Sequence, residues 1–252
     1  MTDLQAARAK RWRYTGRKIA SLARAASWID DVGFAMLWPK DSLPVPALWI
    51  AGSDDDGSWG PDAERMWKWK DELPRRGHAW YGPFLFGRKS FLSLQLLNDL
   101  YPREGAADDY RQASHSPTAR KIADILLASG PQSAAALREA TDLTGKKGSP
   151  VFTRAMSELG RALVITHFGI EEQGAGWPSA VFELTTRAFV VHPTSDPVAA
   201  ARTFLDTTIQ CKPNELARAF GWSAADARSA LEELVARKLA HRERSVFRIA
   251  PE

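Results

Sequence analysis

Ser116-Pro117-Thr118-Ala119-Arg120-Lys121-Ile122-Ala123-Asp124-Ile125-Leu126-Leu127 opens the stretch, residues 117–189, that decides the fold. Serine before proline fits an N-cap followed by Pro at the first helical position. Ile122, Ile125 and Leu126 then recur at helical spacing, and Gly130-Pro131 stops the helix. Ser133 caps a second helix, Ala134 to Ala140, with Leu137 facing in. Thr144 to Pro150 reads as a short basic turn. A third helix is expected from Val151 to about Leu163, with Phe152, Met156, Leu159 and Leu163 on its inner face. Val164–Ile170 and Ala180–Leu184 read as strands around a turn at Gly174-Ala175-Gly176. Three helices and a hairpin in that order spell a winged helix, which offers its third helix to the DNA major groove.

The same order recurs toward the C-terminus. Pro197 to Ile209, Lys212 to Gly221 and a helix capped by Ser223 precede a hairpin of Leu239–Glu243 and Val246–Ile249. His192 to Pro197 links the two modules, and Tyr101 to about Ser116 is expected to be a polar linker before the first. Toward the N-terminus, residues 32–100 hold most of the tryptophan. Val32 to Trp38 reads as a buried strand, Pro61 to Leu73 as a helix and His78 to Gly87 as a strand, while Ser90 to Leu100 is ambiguous. Aromatic and basic residues interleave at Trp67, Lys68, Trp69 and Lys70. Such a mixture stacks unpaired bases in some proteins, but a Trp-rich core is the favoured reading here. The chain is thus expected to be α+β. A basic arm spans residues 1–18 and a Trp-rich α/β unit, itself readable as a degenerate winged helix, spans 19–112. Tandem winged helices follow over 113–192 and 193–252.

The 252 residues carry a formal charge of +4 with a pI near 9.3, which favours an anionic partner only mildly. The charge is unevenly placed: residues 1–24 hold seven basic side chains, Arg11 and Arg13 among them, against Asp3 alone. An arm of this kind can follow phosphates or enter a minor groove. Cys211 stands alone, so no internal disulfide framework exists and a reducing compartment suits the chain. No apolar run reaches the length of a membrane span, and a cytoplasmic, nucleoid-associated protein without cofactor is the expectation. Asp54-Asp55-Asp56-Gly57 mimics a calcium loop, but aligning Gly57 puts Gly52 first and Ala63 twelfth, where the chemistry needs carboxylates. The five histidines show no paired metal spacing. No phosphate-cradling glycine loop or nucleophile elbow is present. His115, between two serines in a linker, is expected to be solvent-exposed.

The two modules, following Gly33-Phe34-Ala35-Met36-Leu37-Trp38-Pro39 and with Gly130-Pro131-Gln132-Ser133 before the second helix of the first, resemble the bacterial winged-helix family around the AlkZ-type DNA glycosylases. The resemblance covers the chain from about residue 19 and implies winged helices stacked around DNA and excision of alkylated or crosslinked bases. It also implies a Gln-x-Gln or Gln-x-Asp catalytic signature. Here the glutamines are followed two positions later by Ala7, Leu97, Ser114, Ala134, Ala175 and Lys212, so the signature is missing. The resulting expectation is a non-catalytic binder of double-stranded DNA in repair or transcriptional regulation. A diverged glycosylase and a protein-interaction module are the alternatives. On the third helix of the first module the period turns Thr153, Arg154, Ser157 and Arg161 outward, with Lys146, Lys147 and Ser149 just before it. The last hairpin adds Arg242, Arg244 and Arg248 as a possible clamp on the phosphate backbone. The competing reading pairs Arg154 and Arg161 with neighbouring acids such as Glu158.

Overall fold

The computed structural model of the chain describes residues 3–40, 42–54, 59–172, 177–192 and 195–250. The turn expected at Gly174-Ala175-Gly176, Asp55 to Gly57 of the acidic turn and Pro193-Thr194 of the second linker lie outside them. The chain begins with helix α1 (Asp3–Arg11). An N-terminal unit follows, of α2 (Leu22–Val32), β1 (Phe34–Met36), α3 (Leu48–Gly52), α4 (Pro61–Arg75), β2 (Trp80–Pro83) and β3 (Lys89–Leu92), closed by α5 (Leu94–Leu100). The middle unit contains α6 (Pro117–Ser129), β4 (Gln132–Ser133), α7 (Ala134–Ala140), α8 (Gly145–Arg161), β5 (Ile165–Glu171) and β6 (Ser179–Leu184), with a short α9 (Thr185–Ala188) after it. The last unit comprises α10 (Pro197–Thr208), β7 (Gln210–Cys211), α11 (Pro213–Phe220), α12 (Ala224–Ala236), β8 (Ala240–Glu243) and β9 (Val246–Ile249).

The fold is α+β, and its element order of helix, strand, helix, helix, strand, strand occurs three times. Each copy forms its own antiparallel sheet with the third strand in the centre: β1-β3-β2, β4-β6-β5 and β7-β9-β8. The sequence pattern shows two of these copies. In the first copy the prolines around Val45 and the short α3 break the helical period that the other two display. The first strand of each later copy has only two residues, too few to show any period.

Several elements differ from expectation for local reasons. α8 starts at Gly145, so the supposed turn Thr144–Pro150 is its first stretch of helix. Gly148 makes this possible, because a Cβ there would stand 2.5–2.6 Å from the backbone of Leu143. Ser90–Leu100 splits into β3 and a helix capped by the Ser93 hydroxyl. The supposed polar linker after Tyr101 is pinned at a buried carboxylate. Asp109 accepts from the Tyr101 hydroxyl at 2.9 Å and from Gly105 N at 2.9 Å, and pairs with Arg103 at 3.1 Å. Arg103 in turn donates to the Ala162 carbonyl just past α8, at 2.8 Å.

The basic arm is not an arm in the structure. Trp12 buries its indole and donates Nε1–H to the Thr207 carbonyl at 2.7 Å, while Trp28 donates to the Trp12 carbonyl at 3.0 Å. Arg8 Nε reaches the Thr208 carbonyl. Residues 3–12 thereby strap the end of α10 to α2. The apolar core follows the same connection. The N-terminal and last units share one cluster, in which Phe34 stacks on Phe204 at 5.6 Å and Phe84 meets Phe220 at 6.0 Å. The middle unit keeps its own core around Phe152, Leu159 and Ile165.

Polar contacts dock the middle unit on the N-terminal one. Trp80, fully buried, donates Nε1–H to Thr185 Oγ1 at 3.1 Å, and Tyr81 N donates to Thr166 Oγ1 at 3.3 Å. Beside them His167 of β5 hydrogen-bonds to Asp71 of α4, and Lys70 pairs with the same Asp71 oxygen at 2.5 Å. All three side chains are buried. A carboxylate only accepts, so His167 Nε2 carries the proton it shares with Asp71. Burial holds His167 below its ordinary 6.5 despite the pull of Asp71, so it is neutral near pH 7. Burial pushes Asp71 upward, but the hydrogen bonds from His167 and Lys70 outweigh it and leave the carboxyl below its usual range. Both folded-state values are depressed. The stability they contribute is therefore present at neutral pH and lost on acidification, first below about 6.5 through the histidine and then below the carboxylate's ordinary 3.8. The urea midpoint is expected to fall between about pH 7.5 and 5.5, and His167→Gln to flatten that slope, with a remainder from His115. A midpoint unchanged over this interval would contradict the arrangement.

Candidate nucleic-acid interface

The 17-residue helix α8 is sharply two-faced. Phe152, Ala155, Met156 and Leu159 are buried. On the opposite face Ser149, Thr153, Arg154, Ser157 and Arg161 line one open groove of about 600 Å³, together with Pro150 and Glu158. Thr153, Arg154 and Arg161 are exposed, while Ser149 and Ser157 are half-buried. Lys146 and Lys147 are exposed in the helix's first turn, where unpaired N–H groups and the helix dipole favour an anion.

Glu158 decides the electrostatics of this face. Its carboxylate accepts from Ser116 N and from the Ser116 hydroxyl, both at 2.7 Å, and lies 3.4 Å from His115 Nδ1. These bonds outweigh its partial burial and hold it below the usual carboxylate range. It faces the preceding linker, and among the described residues no ion pair engages Arg154 or Arg161. His115 is not solvent-exposed as its linker position suggests: its side chain is 3% accessible, tucked against α8, and burial lowers its pKa.

Arg161 also belongs to a neighbouring concavity of about 550 Å³, which it lines with Phe86, Asn214, Arg218 and Trp222. The basic surface therefore continues from α8, past the turn between β2 and β3, to α11. Phe86 sits in that turn at φ 54°, a left-handed conformation unusual for a bulky residue. α8 is seated against the same hairpin at Gly160, where a Cβ would lie 2.5 Å from the Pro83 ring.

The other candidate residues stand apart from this groove. Arg242 pairs with Glu232 at 2.6 Å, donates to the Arg244 carbonyl and covers the Phe247 ring. Arg248 lies 3.6 Å from Glu243. In this hairpin Arg244, at the tight turn between β8 and β9, keeps a guanidinium without an ion pair among the described residues. Arg11 is bound to Asp206 at 2.7 Å and Asp31 at 3.4 Å, and Arg13 to Asp31 at 3.0 Å.

A protein-family model described as AlkZ related matches residues 19–220. The chain belongs to the AlkZ-related family. The match ties it to a DNA-repair-related group and covers all of the N-terminal and middle units and the last unit as far as α11. No curated protein and no solved structure matches the chain. Among the described residues no helix is long and apolar enough to cross a membrane.

Neither Phe86 and Trp222 of this surface nor Lys70, buried in the N-terminal unit, is among the site residues expected from the sequence. Phe86 and Trp222 join Arg161 only through packing between units distant in the chain, which no spacing announces. Lys70 did leave a signal: it falls in phase with the buried Ala63, Met66 and Leu73 of α4, so the helical period alone turns this lysine inward. The seating of α8 can be tested at Gly160. Gly160→Ala is expected to cost about 1–3 kcal/mol by overpacking against Pro83, measured as a shift in urea midpoint, whereas Ala162→Gly should leave the Pro83 contact intact.

Proposed function

We propose that this member of the AlkZ-related family is a non-catalytic DNA-binding protein built from three winged helices, and that it holds duplex DNA on the outer face of α8. The observation that carries the reading is the α8 groove, in which Arg154 and Arg161 face outward while Glu158 is committed to Ser116 and His115. The thrice-repeated element order and the strand order with the third strand central support the winged-helix assignment, with units over 19–112, 113–192 and 193–252. In such a unit the third helix enters the major groove, and α8 is the third helix of the middle one. Arg154, with Thr153 and Ser157, is assigned to base edges. Lys146, Lys147 and Ser149 at the helix start are assigned to phosphate, and Arg161 to the junction with α11. Arg244 is the residue of the last hairpin left to follow the backbone. Arg11, Arg13, Arg242 and Arg248 neutralise acids of the protein itself. The missing Gln-x-Gln or Gln-x-Asp signature supports binding without base excision.

Anisotropy titrations of a labelled short duplex test this. Arg154→Ala is expected to cost about 1–3 kcal/mol in affinity if the side chain contacts a guanine edge. The Lys146→Ala/Lys147→Ala variant is expected to weaken all duplexes alike and lower the salt slope by roughly two. Arg242→Ala should change little. Unaltered affinity in both α8 variants would remove this helix from the interface. Abasic sites appearing in alkylated DNA incubated with the protein would replace the non-catalytic reading by a diverged glycosylase. Absence of duplex binding at low salt would leave a protein-interaction module.

A further inference from the structure

The N-terminal unit carries a second basic concavity that the α8 reading does not use. It has a volume of about 270 Å³ and lies between the end of β1, helix α4 and the start of β3. Trp38 and Trp67 supply its aromatic wall, and Lys40, Lys70, Arg88 and Lys89 its charge. No acidic side chain lines it among the described residues, and none of Lys40, Arg88 and Lys89 has an ion pair there. The carboxylate of Asp71, next to Lys70, already accepts from Lys70 and His167. Lys70 is 7% exposed and stands 4.2 Å over the Trp67 ring, a cation held in place at the pocket floor. Desolvation of its ammonium and the neighbouring Lys70 lower the pKa of Lys89, as expected where positive charge is in excess.

The indoles are unusual in being partly unburied. Trp38 packs on the buried Trp49 at 4.9 Å, Trp59 touches Trp38 at 6.3 Å and Trp67 at 6.0 Å, yet Trp59 is 63% and Trp67 43% exposed. A tryptophan cluster that served only the core would hide these rings. Exposed π-faces beside unneutralised cations match the two halves of a nucleotide, a flat base and a phosphate. The volume admits one such unit and excludes a duplex.

We propose that this pocket binds one nucleoside monophosphate unit, its base against Trp67 and Trp38 and its phosphate on Arg88 and Lys89. The same chemistry is presented by a free mononucleotide and by an unpaired nucleotide of a DNA strand. The site shares no residue with the α8 face, so the two readings fail separately.

Calorimetric titration of the full chain with deoxyadenosine monophosphate, deoxyadenosine and inorganic phosphate, and anisotropy titration of a labelled oligothymidine strand, test the site. Saturable binding of the mononucleotide, with nucleoside and phosphate each far weaker, is expected if the source is free. Binding of the strand alone assigns the nucleotide to DNA. In either case Trp67→Ala and Arg88→Ala/Lys89→Ala are each expected to weaken binding on the order of tenfold, with Trp67→Phe restoring most of it. Arg242→Ala, whose side chain is paired with Glu232, should leave it unchanged. Trp67 and Arg88 are surface residues, and Lys40→Ala, wholly on the surface, provides a variant that leaves the packing untouched. Inorganic phosphate competing as well as the mononucleotide, binding unaffected by the pocket variants, or no binding of either probe would overturn the proposal.

Discussion

The buried carboxylate of Asp71 is the constraint on which much of the molecule depends. An unpaired carboxylate in the interior costs several kcal/mol, so α4 cannot bury Asp71 unless donors arrive with it. One comes from the preceding residue, Lys70, and the other from His167, which belongs to the middle unit. The Asp71 carboxylate thus gains its second hydrogen-bond donor only when β5 is docked beside α4. Trp80 and Thr166 add hydrogen bonds along the same seam. Lys70, fixed by Asp71, then faces the tryptophan-lined pocket with its position already set.

The other seam is made differently. The N-terminal and last units share an apolar cluster instead of a polar network, with Phe34, Phe84, Phe204 and Phe220 in contact across it. Residues 3–12 lie over this join, and Arg11 neutralises Asp31 and Asp206 from its two sides. Part of the charge that looks, in the sequence, like a free basic tail, that of Arg8 and Arg11, holds units together. Among the described residues, the cations without an ion pair include Lys146, Lys147, Arg154 and Arg161 on and before the outer face of α8, Arg244 in the last hairpin, and Lys40, Arg88 and Lys89 at the tryptophan-lined pocket. The turn between β2 and β3 stands between the two concavities, with Phe86 lining one and Arg88 and Lys89 the other.

Local structure follows from residue order wherever a period or a cap is strong. Ser116, Ser133 and Ser223 cap the helices expected of them. The apolar period of α8 turned Phe152, Met156 and Leu159 inward and so settled which side chains face out. The β-branched run after it became β5. Gly33 to Pro39, Gly130 to Ser133 and the repeated module carry the family likeness in the sequence itself. Residue order is silent where the deciding partner is remote. The third copy of the element order was hidden by a three-residue strand and a five-residue helix, too short to show periodicity. Tertiary structure alone decided which charges are free, because an ion pair is a matter of distance in space. Arg11 reaches Asp206 across 195 residues, His167 reaches Asp71 across 96, and Glu158 turns from its helical neighbours to Ser116 across 42.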